Sequence, residues 1–264
     1  MGKIVGVLSL KGGVGKTSSV VSLGSALASF GKKVLLVDAN FSAPNLGIHL
    51  NVVDPKKTMH SEFSDKFDLS DAVIEREDFH LIPASLFPKA RIDPLKLKEK
   101  LKQLKKKYDV ILLDSSPALN EETLSVILAA DELVVITTPD YSTLSTTLKA
   151  VRVAKKGGTP IVGLVLNKVH NKNFELSLGE IERTSSVPVL AVVPHDLDVL
   201  KAQSEFKPYF EFSPKSLGAE EYGKLAGLLV GEKYVSPVRR FNFRRFVAPK
   251  QQINRDIFYN SLFE

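Results

Sequence analysis

The chain has 264 residues, 44% of them apolar, no cysteine and a formal net charge of +6. That length carries one large α/β core, and the missing thiols exclude a disulfide framework and any cysteine-ligated metal or iron–sulfur cluster. No apolar run reaches the roughly 20 residues of a membrane span and no signal-peptide pattern opens the sequence, so a cytoplasmic protein is expected.

Taken in chain order, β-branched runs at 4–10, 33–37, 79–83, 110–113, 133–137, 161–166 and 189–193 predict strands. Several are apolar at consecutive positions, as in strands covered on both faces. Amphipathic stretches at 16–30, 94–107, 121–130, 141–155, 176–184, 197–204 and 217–230 predict helices. The alternation predicts a doubly wound, mostly parallel sheet with helices on both faces, which binds ligands at the carboxyl ends of its strands. The stretch 94–107 is Lys-rich, with Leu95, Leu97, Leu101 and Leu104 as its apolar face, and its charges read as a solvated surface. Beyond Gly231 the strand–helix pattern stops. The chain therefore divides into a domain at 1–231 and a basic aromatic tail at 232–264, which holds seven Lys/Arg against three Asp/Glu.

The most informative motif follows the first strand: Ser9-Leu10-Lys11-Gly12-Gly13-Val14-Gly15-Lys16-Thr17, then Ser18. Glycines let backbone N–H groups turn around an anion, and the helix N-terminus adds positive potential. Lys16 is placed for β- and γ-phosphates, and the Thr17 hydroxyl for Mg²⁺. Two apolar strands end in carboxylates, Asp38 and Asp114, which the parallel sheet would bring to the same edge as this loop. Asp114 is followed by Ser115-Ser116-Pro117-Ala118, and Asp38 by Ala39-Asn40-Phe41-Ser42-Ala43-Pro44-Asn45.

The loop lacks the first glycine of the ordinary G-x-x-x-x-G-K-[ST] pattern, since Leu10 stands there, and carries a second lysine, Lys11. In this it resembles the deviant Walker A motif of the MinD/ParA family of ATPases. The resemblance covers residues 1–231 and implies a P-loop NTPase fold of the SIMIBI type that binds ATP or ADP with Mg²⁺. It makes Asp114 the Walker B acid at the head of switch II, and gives the metal Thr17, Asp38 and Asp114. It also makes Lys11 a residue that reaches a partner's nucleotide in an ATP-dependent homodimer. Switch I usually reads D-x-D in this family, whereas Asn40 replaces the second acid here. An amide orients water but cannot accept its proton, so slow turnover is expected of a catalytic set of Lys11, Lys16, Asp38 and Asn40. Asn167, Pro194 and Asp196 match positions the family places beside the base; an N-cap role for Asn167 and a turn role for Pro194 stand as the plainer alternatives.

Within the family, the absent cysteines disfavour members that use them, and the path from loop to Asp38 is most similar to that of MinD-like proteins. This implies control of cell division or cellular positioning, with a protein effector. A non-hydrolysing scaffold is the alternative that Asn40 suggests, and a ParA-like DNA segregation ATPase is another. For the tail, packing on the domain or on a partner ranks first. Contact with a membrane surface ranks second, behind packing because the 238–247 run makes a poor amphipathic face, and contact of its interleaved arginines and phenylalanines with nucleic acid ranks third. Ile253, Ile257 and Phe258 suggest a short terminal helix. The five histidines lack metal-ligand spacing and read as scattered surface residues, with no structural metal.

Overall fold

The computed structural model describes residues 2–62, 68–88, 92–236, 259–261 and 263. Eight strands form one sheet in the order β3-β4-β2-β5-β1-β6-β7-β8. They are β1 (Lys3–Leu8), β2 (Val34–Asp38), β3 (Ile74–Glu75), β4 (His80–Ile82), β5 (Val110–Asp114), β6 (Glu132–Thr137), β7 (Ile161–Val169) and β8 (Val189–Pro194). All neighbours are parallel except β3 and β4. The central strands bury both faces. In β1, Ile4 and Leu8 join one apolar layer, and Val5 and Val7 join the other.

The principal helices are α1 (Lys16–Ala28), α2 (Leu46–His49), α3 (Met59–Glu62), α4 (Leu97–Lys100) and α5 (Glu121–Ala129). They continue as α6 (Tyr141–Gly157), α7 (Leu178–Ser185), α8 (Asp198–Ser204), α9 (Tyr209–Phe212) and α10 (Leu217–Val230). Helices α1 and α10 cover one face through Leu23, Leu27, Leu225 and Leu229. Helices α5, α6 and α7 cover the other through Val126, Ile127, Val151 and Ile181. Side-chain caps set several starts: Asn120 for α5, Asp140 for α6 and a Ser177/Glu180 capping box for α7. No described helix is long and apolar enough to cross a membrane.

Three expectations need correction. The first strand ends at Leu8, because the chain turns at Ser9 into the loop. The edge strand β3 was not foreseen, since two residues carry no periodicity. The predicted helix at 94–107 is broken into a 3₁₀ turn at Pro94–Lys96, the single α turn of α4, and a second 3₁₀ turn at Leu104–Lys106. Lysines at spacings of three and four repel along a helix. The Lys105 carbonyl also accepts from the Gly2 N–H at 3.1 Å rather than continuing a helical ladder. Leu97, Leu101 and Leu104 stay fully buried, while Leu95 lies 60% exposed.

The described part of the tail lies against the domain. The Tyr234 ring meets Phe30 at 6.2 Å, and its backbone N–H donates to the Tyr259 hydroxyl at 2.9 Å. Tyr259 is buried, with the Lys224 ammonium 5.9 Å from its ring centre. Residues 259–261 are helical. The 238–247 run and Ile253, Ile257 and Phe258 lie outside the described residues.

Candidate functional site

Residues 11–18, the segments that follow β2 and β5, and the ends of β7 and β8 line a cavity of about 500 Å³. Gly13 (φ +78°) and Gly15 (φ +89°) make the turns that L side chains resist. Beside Gly12 and Gly13, the place of a side chain is open space. At Gly15 it would collide with the Asn167 amide. The loop is tied to the end of β7 by Asn167 Nδ2 donating to the Val14 carbonyl and Lys168 Nζ donating to the Gly13 carbonyl, both at 2.7 Å. Such a cradle fits an anionic ligand.

Lys16 and Asp114 are 7% and 1% exposed. Lys16 Nζ donates to Asp114 Oδ1 at 2.5 Å, and Thr17 Oγ1 donates to Asp114 Oδ2 at 2.7 Å. A buried ion pair repays its desolvation only when both partners stay in place, so this cluster fixes the lysine at the loop's floor. Asp38 stands beside Asp114, since the two pair in register across β2 and β5. It accepts backbone N–H bonds from Asn40, Asn45 and Leu46 at 3.2, 3.1 and 3.0 Å. Burial, and then the charge of Asp114, push its carboxyl up to about 7 against those bonds and the pull of Lys16. A thiol-free set of two carboxylates and a hydroxyl suits a hard cation such as Mg²⁺.

The segment after Asp38, which the resemblance makes switch I, folds back on this edge. Asn40 is 4% exposed; its Nδ2 donates to the Ala43 carbonyl, and its Oδ1 has no partner among the described residues. Ser42 bonds Glu122 through both its N–H and its hydroxyl. Lys11 sits at the rim and is paired within its own chain, to Asp140 at 3.2 Å and Thr143 at 2.7 Å. Burial pushes the Asp140 carboxyl up, but bonds from Thr138, Thr143 and Lys11 outweigh it and hold the group well below the usual range. Ser18 Oγ lies 3.3 Å from His49 Nε2.

Asn167, Pro194 and Asp196 line the same cavity, Asn167 against the loop itself. Asp196 is engaged within the fold: it accepts from the Tyr209 hydroxyl at 2.6 Å and from the Asp198 N–H at 2.9 Å. Burial, and then this bond, raise the Tyr209 phenol far above its ordinary value. Tyr222 lines the cavity from α10, 2.8 Å from Ser19 Oγ, its phenol pushed by burial to about 12. The sequence reading of all five histidines as scattered surface residues fails at one of them. His60 is buried, its Nδ1 accepting from the Ser85 N–H at 3.0 Å, and burial lowers its pKa. The His170 and His195 rings lie 4.5 Å apart, tilted by 31°. No cluster of three or more metal-ligating side chains from His, Cys, Asp and Glu occurs among the described residues.

Sequence reasoning placed the loop and both carboxylates at one edge, as found. It missed Glu122, Asp140, Thr143, Tyr209 and Tyr222. Only Asp140 left a trace in the sequence, as an N-cap residue before a helix.

A glycine-turned loop between β1 and α1, floored by a buried Lys–Asp pair with a threonine beside it at the carboxyl edge of a parallel sheet, defines a P-loop nucleotide-binding protein. A family model described as an AAA domain matches residues 2–158, and one described as a NUBPL iron-transfer P-loop NTPase matches residues 95–230. An uncharacterized ATP-binding protein of Methanocaldococcus jannaschii is 35% identical over 239 residues, spanning 89% of this chain and 90% of its own. The sporulation initiation inhibitor protein Soj of Bacillus subtilis is 30% identical, over 86% of this chain and 97% of its own. The septum site-determining protein MinD of Pyrococcus horikoshii, solved with Mg-ADP, has a TM-score of 0.81 and 33% identity, over 87% of this chain and 96% of that one. The chain belongs to the MinD/ParA family of P-loop ATPases.

Proposed function

We propose that this chain binds Mg-ATP in the 9–17 cradle and works as an ATP-dependent dimerising switch, with slow hydrolysis, that helps place a division site or another cellular structure. The observation that carries the reading is the buried Lys16–Asp114 pair, bonded by Thr17, beneath a loop with a second lysine, Lys11, at its rim. Lys16 would bind the β- and γ-phosphates. Thr17, Asp114 and Asp38 would hold Mg²⁺, which when bound neutralises charge on the phosphate oxygens. Asn167, Pro194 and Asp196 would flank the base, with Asp196 held in place by Tyr209.

Lys11 is at present bonded to Asp140 in its own chain, and both side chains are more than a third exposed. An exposed pair of this kind costs about 0–1 kcal/mol to break, so a partner's nucleotide can recruit Lys11 cheaply. The dimer would then expose a surface for a protein effector, and hydrolysis would release it.

A second reading, a nucleotide-dependent scaffold with little turnover, is favoured by Asn40, whose amide nitrogen is spent on Ala43. Single-turnover hydrolysis separates the two, since no product over hours despite tight binding selects the scaffold. The main reading is tested by size-exclusion of wild type and Lys11→Ala with ADP and with a non-hydrolysable ATP analogue. We expect a dimer only for wild type with the analogue. A wild type that is monomeric in every state, or a variant that dimerises equally well, overturns it.

A further inference from the structure

Glu122 stands in the first turn of α5, just beyond switch II, yet its side chain reaches switch I. Its Oε1 accepts from the Ser42 N–H at 2.9 Å and from the Ser42 hydroxyl at 2.5 Å. The residue is 9% exposed, and its Oε2 has no hydrogen-bond partner among the described residues. It lines a cleft with Phe41, His60 and Pro94. A carboxylate in such a place is costly unless its bonds fix something. The next residue, Thr123, donates its hydroxyl to the carbonyls of Ser116 (3.1 Å) and Ala118 (2.6 Å). One helical turn thus grips both loops, switch I through Glu122 and switch II through Thr123. Ser42 lies two residues past Asn40 and four past Asp38.

We infer that Glu122 is a positioning residue for nucleotide turnover, coupling the two switch loops so that Asn40 keeps its place relative to Asp114, while Asp38 stays held by the N–H groups of Asn45 and Leu46. The inference rests on the ATPase reading above. Glu122 touches no reacting atom, so its loss acts on the rate and not on the hold of the phosphate cradle.

The test uses the full chain as wild type, Glu122→Ala, Glu122→Gln and Ser42→Ala. In Glu122→Ala, kcat falls about tenfold while KM and the Kd for Mg-ADP stay within about threefold. Hydrogen exchange at the Ser42 amide speeds up about tenfold or more. Glu122→Gln, which keeps an oxygen for Ser42, returns to within about threefold of wild type, and Ser42→Ala falls between the two. Unchanged kcat and unchanged Ser42 exchange in Glu122→Ala overturn the inference. So does an ADP affinity that falls in step with kcat in both Glu122 variants, which would make the residue a folding element only. A wild type that binds Mg-ATP without turning it over counts against the ATPase reading, and the Ser42 exchange comparison then decides the coupling by itself.

Discussion

Asp38 and Asp114 end neighbouring parallel strands at the same register, both fully withdrawn from water, and they are held in different ways. Asp114 has a lysine and a hydroxyl against its two oxygens. Asp38 has only backbone N–H groups from its own loop, with the charge of Asp114 working against it. The difference separates a fixed floor from a responsive wall. The first carboxylate is neutralised by the fold itself, whereas the second gains most from an added cation.

The largest effect expected from breaking this contrast is that of Lys16→Ala. It leaves Asp114 buried without its counter-charge, so we expect a loss of about 3–5 kcal/mol in urea unfolding, together with loss of Mg-nucleotide binding in calorimetry. A loss below about 1 kcal/mol would show that Asp114 is not neutralised by this lysine.

Next comes the pH response of Asp38 in the nucleotide-free protein. Its folded carboxyl titrates above the unfolded value, so its contribution to stability is complete below about pH 4 and is lost as pH rises towards 7. Between pH 5 and 8 the stability of Asp38→Asn relative to wild type should improve by about 2–3 kcal/mol. A difference that is flat with pH would place the Asp38 titration elsewhere.

Asn40→Asp sharpens the contrast by adding a third carboxyl beside the first two. We expect a cost of about 1–2 kcal/mol in the nucleotide-free state, and single-turnover hydrolysis faster by about tenfold. Unaltered hydrolysis would show that the amide does not limit the rate. The smallest effect is that of Lys11→Ala on monomer stability, at most about 1 kcal/mol because its pair with Asp140 is exposed. Urea unfolding of the monomer measures it.

Much of the fixed floor was legible in the sequence. A lysine and a threonine at set offsets after a strand, and an apolar run closing on an aspartate, are local patterns whose meeting follows from parallel-sheet topology alone. The long-range contacts around the site were not. Glu122 reaches Ser42 across 80 positions, and Tyr222 reaches Ser19 across 203. Each looks like an ordinary helical residue until the helices are stacked. Similarly, the lysines of 94–107 read as one helix because periodicity records the buried face and not the carbonyl that Gly2 takes from it.

Gly15 carries a consequence for how this protein can change. Two separate obstacles exclude a side chain there, a left-handed backbone and the amide of Asn167. Trimming Asn167 removes the second obstacle and leaves the first, so Gly15→Ala stays impaired even beside Asn167→Gly. The pair should behave non-additively, and a lineage that lost this glycine would have no single-step route to compensation at position 167.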